Sequence, residues 1–161
     1  MKALIVYDSV YGNTEEIAKA IAEAITPSDE VKVLRVGEAN PSELESIDLL
    51  IVGSPTHGGR PTPAIKDFLS KIPSNALKNV GVTSFDTRFS AKSKGVGVGI
   101  RILTGVIGYA AGRIANTLKD KGGYLVASPE GFIVEGNEGP LKQGELERAA
   151  SWAKVIIESK K

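Results

Sequence analysis

Ser9, Val10, Tyr11, Gly12, Asn13 and Thr14 follow an apolar run and combine hydroxyls, one side-chain amide and one glycine. Where such a loop leads into a helix, it suits a phosphate. The first N–H groups of a helix have no intrahelical acceptor and point outward with the positive dipole end, and the Ser9 and Thr14 hydroxyls can donate beside them. No lysine or arginine lies inside the loop. Neither Gly-x-x-x-x-Gly-Lys-Ser/Thr nor Gly-x-Gly-x-x-Gly follows the apolar run, so the triphosphate loop and the dinucleotide fingerprint are excluded. Gly95-x-Gly97-x-Gly99 has the wrong spacing for either. Taken alone, the loop is equally a turn in which Ser9 and Asn13 cap a helix.

A second segment, residues 51–59 (IVGSPTHGG), ends an apolar run in a glycine- and proline-rich loop. It contains His57, the chain's one histidine. With an ordinary pKa near neutrality, His57 could donate a proton or switch charge, or it could simply stack or pack in the loop. No Ser-His-acid spacing points to a hydrolase. One histidine without any cysteine argues against a metal site, and the missing cysteines exclude disulfides and thiolate nucleophiles. Asp8 and Asp86 read as turn caps.

These loops require elements to position them. Residues 2–7 (KALIVY) read as a strand buried on both faces. Ile17, Ile21 and Ile25 then mark a helix, with Asn13 and Glu16 spaced as a capping pair and Pro27 beyond its end. Residues 30–36 alternate as a less buried strand, and residues 48–53 form another buried one. Thr62 and Pro63 start a helix whose apolar face is Ile65, Phe68, Leu69 and Ile72. Residues 80–85 make a fourth strand and residues 124–128 a fifth. Between them, residues 103–118 have helical spacing despite Gly105, Gly108 and Gly112. A closing helix carries Leu146, Ala149, Ala150, Ala153, Ile156 and Ile157. Strands alternating with helices imply an α/β fold: a parallel five-stranded sheet between two helical layers, in one domain over residues 1–161. In such sheets ligands bind beyond the carboxyl ends of the strands, so the loops after strands one, three and four are the ones to inspect.

The 161 residues carry 20 Lys plus Arg and 19 Asp plus Glu, and 42% are hydrophobic, as expected of one ordinary domain. The near-zero net charge hides a polarised chain. Residues 1–50 hold 4 bases against 10 acids, while residues 60–113 hold nine bases (Arg60, Lys66, Lys71, Lys78, Arg88, Lys92, Lys94, Arg101 and Arg113) against Asp67 and Asp86. An acid at Asp8 interrupts the N-terminal apolar run too early for a signal peptide, and residues 102–112 are too short to span a bilayer, so a cytoplasmic location is expected.

Through residues 9–14 followed by Glu15, residues 51–59 and residues 84–89, the sequence resembles the flavodoxin family. The resemblance covers the chain in element order and implies strand order 2-1-3-4-5 with flavin mononucleotide (FMN) at the switch point, for which flavodoxin is a standing example. It implies that Ser9, Val10, Tyr11, Gly12, Asn13 and Thr14 hold the FMN phosphate. Pro55, Thr56, His57, Gly58 and Gly59 would border one side of the isoalloxazine. Ser84, Phe85, Asp86, Thr87, Arg88 and Phe89 would border the other side, with either Phe85 or Phe89 stacking. In the family, the peptide beside flavin N5 turns over when an electron arrives. Gly58-Gly59 matches that position and can adopt both orientations.

The resemblance implies an electron-transfer protein cycling through flavin semiquinone and hydroquinone between redox partners, with no catalytic residue of its own. This chain departs from the acidic members of the family in placing Arg60 and Arg88 beside the proposed site. Opposite charge favours the reduced anion, so a less negative second potential is expected, together with acidic partners docking near the basic 60–113 region. The alternative is an FMN-dependent NAD(P)H:quinone-type oxidoreductase, in which Arg60, Arg88 or Lys92 holds a nicotinamide phosphate. A binding domain that keeps the fold without flavin is a third reading. A monomer or weak dimer is expected, with neither nucleic acid nor membrane as partner. Residues 129–144 read as a connecting hairpin, in which Phe132, Ile133 and Val134 could extend or flank the fifth strand.

Overall fold

The computed structural model describes residues 1–27, 29–89, 109–136 and 138–160. Lys92, Lys94, Arg101, the 95–99 glycine run and residues 103–108 of the expected 103–118 helix lie outside the described residues. β1 (Lys2–Tyr7), β2 (Glu30–Arg35), β3 (Leu49–Pro55) and β4 (Gly81–Phe89) form a parallel sheet in the order β2-β1-β3-β4. β5 (Tyr124–Leu125) and β6 (Glu130–Val134) both add to the free edge of β4, completing the order 2-1-3-4-5.

The sheet is covered on both faces because its central strands alternate two sets of apolar side chains. Ile5, Tyr7, Ile51 and Phe85 face one core with Ile17, Ile21 and Ile25 of α1 (Asn13–Ile25) and Trp152, Ala153 and Ile156 of α4 (Glu145–Lys160). Leu4, Val6, Leu50 and Val52 face the other, with Ile65, Phe68 and Leu69 of α2 (Pro63–Ser70) and Ile114 and Leu118 of α3 (Ala110–Asp120). A period of two in β1 and β3 thus feeds two helical layers. In the first core, Phe85, Phe132 and Trp152 pack edge to face, with ring centroids 6.0 to 6.2 Å apart. Among the described residues no helix is long and apolar enough to cross a membrane.

Two expectations need correction. The fourth strand does not stop at residue 85: it continues to Phe89, so Asp86 through Phe89 are strand rather than loop. That extension is held on both sides, by Gly53, Ser54 and Pro55 of β3 and by Glu130 to Val134 of β6. The fifth strand, expected as one piece over 124–128, is split. Val126 N still donates to Val82 O at 3.0 Å, but Pro129 has no N–H to continue the ladder, and pairing resumes only at Glu130. Phe132 to Val134 therefore extend the fifth position of the sheet. The following residues return as the hairpin that was expected, with Lys142 N donating to Ile133 O at 2.8 Å and Glu135 N to Pro140 O at 2.9 Å.

Candidate functional site

The first loop leaves β1 at Asp8, which is fixed from several directions. Its N–H donates to Gly53 O at 3.1 Å, one carboxylate oxygen accepts from Ser9 N at 2.9 Å, and the other accepts from the Thr62 hydroxyl at 2.6 Å. Thr62 in turn caps α2 through Ile65 N, as its position before Pro63 requires. Ser9 Oγ accepts from Gly12 N at 3.0 Å and from Glu15 N at 3.4 Å, which leaves its own proton free to donate. Arg35, at the end of β2, holds the loop from behind by donating from Nη1 to Ser9 O at 2.9 Å.

The Asn13/Glu16 capping pair does not form. α1 begins at Asn13 with Gly12 as its N-cap in the left-handed region (φ 93°) and no side-chain cap, while Asn13 Nδ2 donates to Glu138 O at 3.1 Å. Only glycine adopts that φ without penalty, and it turns the loop so that helix amides face outward. Among the described residues, the N–H groups of Val10, Tyr11, Asn13 and Thr14 meet no protein acceptor. Thr14 is almost wholly buried, and its hydroxyl shares a 2.8 Å hydrogen bond with that of Thr87 on β4. A helix start stripped of its cap and surrounded by donors fits an anion, so this donor set passes the chemical test for a phosphate.

The loop opens into a cleft of about 310 Å³. Ser9, Val10, Tyr11, Asn13 and Thr14 line one end, Pro55, Thr56 and His57 one wall, and Thr87, Arg88 and Phe89 the other. Val134 and Glu138 close it from the hairpin after β6. In the second loop, His57 and Arg60 exchange backbone hydrogen bonds (His57 N to Arg60 O 2.8 Å, Arg60 N to His57 O 3.0 Å) around Gly58 and Gly59, whose φ values are 58° and 78°. Two positive φ angles in a two-residue connection define a tight hairpin turn that L side chains rarely tolerate. Arg113 Nε braces it by donating to Gly59 O at 3.0 Å.

Along β4 the side chains divide by alternation and depth. Ser84 is buried and donates to Ala111 O at 2.6 Å, and Phe85 lies fully inside the core. Asp86 is also buried. It accepts from Arg88 Nε at 2.6 Å, Arg88 Nη2 at 2.8 Å and Ala111 N at 2.9 Å, so a carboxylate takes the place of a missing cap at the start of α3. Burial pushes its carboxyl above the usual range, against the pull of Arg88. Thr87, Arg88 and Phe89 reach the cleft, and Phe89 is 46% exposed. Of the two phenylalanines, only Phe89 presents its ring at the cleft.

Arg60 and Arg88, both expected beside the site, differ in their surroundings. Arg88 is locked bidentately to Asp86, its guanidinium carbon lies 3.5 Å from the Tyr109 ring centre, and a Cβ on Gly131 would overlap it. Asp86 therefore offsets its charge. Arg60 is exposed. Reading the sequence missed Arg35, Arg113, Val134 and Glu138, all brought in by tertiary folding. One local signal was present for Glu138: Gly139 sits where a Cβ would crowd the Asn13 amide, tying the hairpin to the first loop.

The flavodoxin family model matches residues 5–152. Flavodoxin 2 of Bacillus cereus superposes with a TM-score of 0.77 at 23% identity, over 98% of this chain and 99% of that one. The rubredoxin oxygen:oxidoreductase of Desulfovibrio gigas superposes with a TM-score of 0.71 at 24% identity, and its match takes in 99% of this chain but 36% of the other. In sequence, a putative diflavin flavoprotein A 5 of Nostoc sp. is 45% identical over 65 residues, 37% of this chain and 11% of that protein. The curated relatives are much longer, and the matched stretches span 11% to 19% of their length. An uncapped helix start at the carboxyl end of β1, a cleft between β3 and β4, strand order 2-1-3-4-5 and a family match over nearly the whole sequence converge: the chain belongs to the flavodoxin family, whose members transfer electrons on bound FMN.

Proposed function

We propose that this chain carries electrons one at a time between redox partner proteins, on FMN held in the cleft between the first loop, the His57–Arg60 turn and the end of β4. The observation that carries the reading is the set of N–H groups of Val10, Tyr11, Asn13 and Thr14 that meet no protein acceptor among the described residues, with the Ser9 hydroxyl beside them. They would bind the phosphate dianion without a lysine, because helix dipole and amides supply the positive potential. Phe89 would cover one face of the isoalloxazine, and Pro55 and His57 would border the other. Bound FMN supplies the one-electron chemistry.

The residues around the ring set what that chemistry costs. In the Gly58-Gly59 turn, rotating the central peptide exchanges an N–H for a carbonyl facing the cleft, and both orientations are open to glycine. The Gly58 carbonyl can therefore accept a hydrogen bond from a protonated ring nitrogen when one appears. Arg60, unlike Arg88, brings uncompensated positive charge near the site among the described residues. Of the cations that could hold a nicotinamide phosphate in the alternative oxidoreductase reading, Arg88 is taken up by Asp86, Lys92 lies outside the described residues, and Arg60 is left exposed beside the turn. Anaerobic reductive titration of the FMN-loaded protein tests the reading. A long-wavelength absorption band that rises and then falls is the expected result. Direct bleaching from yellow to colourless would contradict one-electron carriage, and failure to take up FMN would remove it altogether.

A further inference from the structure

Arg60, Lys66, Arg113 and Lys121 surround one groove of about 300 Å³ between α2 and α3, floored in part by Pro61 and Leu69. Asp67, next to Lys66, already holds Lys71 at 2.9 Å, and Asp86 holds Arg88, while Asp120, next to Lys121, is exposed and forms no ion pair among the described residues. No ion pair to any of the four groove cations occurs among the described residues, and residues 90–108 contain no acid that could supply one. Four cations and no acid line this depression, so even with Asp120 beside Lys121 the groove carries a net positive potential that favours an outside anion.

Two features select the kind of anion. The floor is apolar, from Leu69, Pro61 and the alkyl stems of the lysines, which a bare phosphate would leave uncovered and a peptide side chain would bury. The groove also adjoins the cleft across one turn. Arg60 lines the groove while His57, its hydrogen-bonded partner across Gly58-Gly59, lines the cleft, and Arg113 in the groove donates to Gly59 O. A chain seated there lies against the turn that borders the flavin.

We infer that the α2–α3 groove docks an acidic segment of the protein that exchanges electrons with this one, carboxylates meeting the four cations and an apolar side chain meeting the floor. The inference rests on the electron-carrier reading and adds the site and chemistry of the partner. Docking through exposed cations accelerates encounter and weakens as salt rises.

The test uses the FMN-loaded protein and a fluorescein-labelled octaglutamate peptide, followed by anisotropy at low salt. Replacing Lys66→Glu together with Lys121→Glu, both outside the cleft, is expected to weaken peptide binding by about 10-fold or more at low ionic strength and to have little effect at about 0.5 M salt. FMN affinity and the visible spectrum should stay as in the parent protein. The milder pair Lys66→Gln and Lys121→Gln should give the same order with a smaller loss, which guards against misfolding of the charge-reversed variant. Equal peptide binding by parent and variants, no binding by the parent, or tighter binding of octathymidylate than of octaglutamate would overturn the assignment. Failure of the carrier reading is separately visible, as loss of FMN binding or of the one-electron band in the parent protein.

Discussion

At the first-loop end of the cleft Asp8, Ser9 and Thr14 are themselves tied down, whereas the wall at the other end is closed by an exposed turn and an exposed aromatic ring. Ser9 is held through Gly12 N, Glu15 N and Arg35, Asp8 is pinned to Gly53 and Thr62, and Thr14 is locked to Thr87. His57, Gly58 and Phe89 are all exposed, and the turn depends on two glycines for its shape. The difference matches the two tasks in the proposed function. A phosphate of constant charge is best met by preorganised dipoles, while a ring whose charge and protonation change needs neighbours that can answer.

The contrast is sharpest at Gly12, whose φ of 93° aims the amides. Gly12→Val forces a branched side chain into the left-handed region and should reorient the loop. A loss of FMN affinity on the order of 100-fold, about 2.7 kcal/mol, is expected by fluorescence titration of the apoprotein. A loss below a few-fold would mean that the phosphate is held elsewhere.

A smaller effect is expected at the support of β6. Glu145, at the start of α4, accepts from Ile133 N at 2.7 Å and from Arg148 Nε at 3.0 Å. The Arg148 contact, more than any other, holds its carboxyl below the usual range. A lowered folded-state pKa contributes stability that is present above the ordinary glutamate range and is lost as pH falls through the folded value. Glu145→Gln should therefore lower stability by about 1.5 kcal/mol at neutral pH in urea unfolding, and the difference from the parent should shrink on acidification below about pH 4. A constant difference across that range would show that the charge is not what Glu145 contributes.

The smallest change is expected at the yielding wall. Phe89→Ala removes a ring that contributes little to the core, so folding stability should stay within about 0.5 kcal/mol. FMN affinity should fall by less than about 10-fold, with a visible shift of the flavin absorption maximum from the lost stacking. A large loss of stability would place Phe89 among the structural residues.

The same contrast explains what could be seen in the sequence. The buried strands, the α1 and α2 faces and the Thr62-Pro63 start were legible because each follows a local period or a local cap. The end of β4 was not. Asp-Thr-Arg-Phe after residue 85 reads as a polar loop, because Asp86 finds its partners in Ala111 and Arg88 only when α3 and the sheet edge come together. The split of the fifth strand had a local sign in Pro129, whose consequence depends on the register of β4. In the site, the first loop was legible by composition. The missing Asn13 cap was not, because Glu138 competes for that side chain from 125 residues away.

The most direct test of the phosphate cradle compares FMN with riboflavin, its dephosphorylated form, on the same apoprotein. If the amides of Val10, Tyr11, Asn13 and Thr14 hold the phosphate, FMN should bind at least about 100-fold more tightly than riboflavin, and Gly12→Val should erase most of that ratio. Riboflavin binding as tightly as FMN to the parent protein would contradict the assignment.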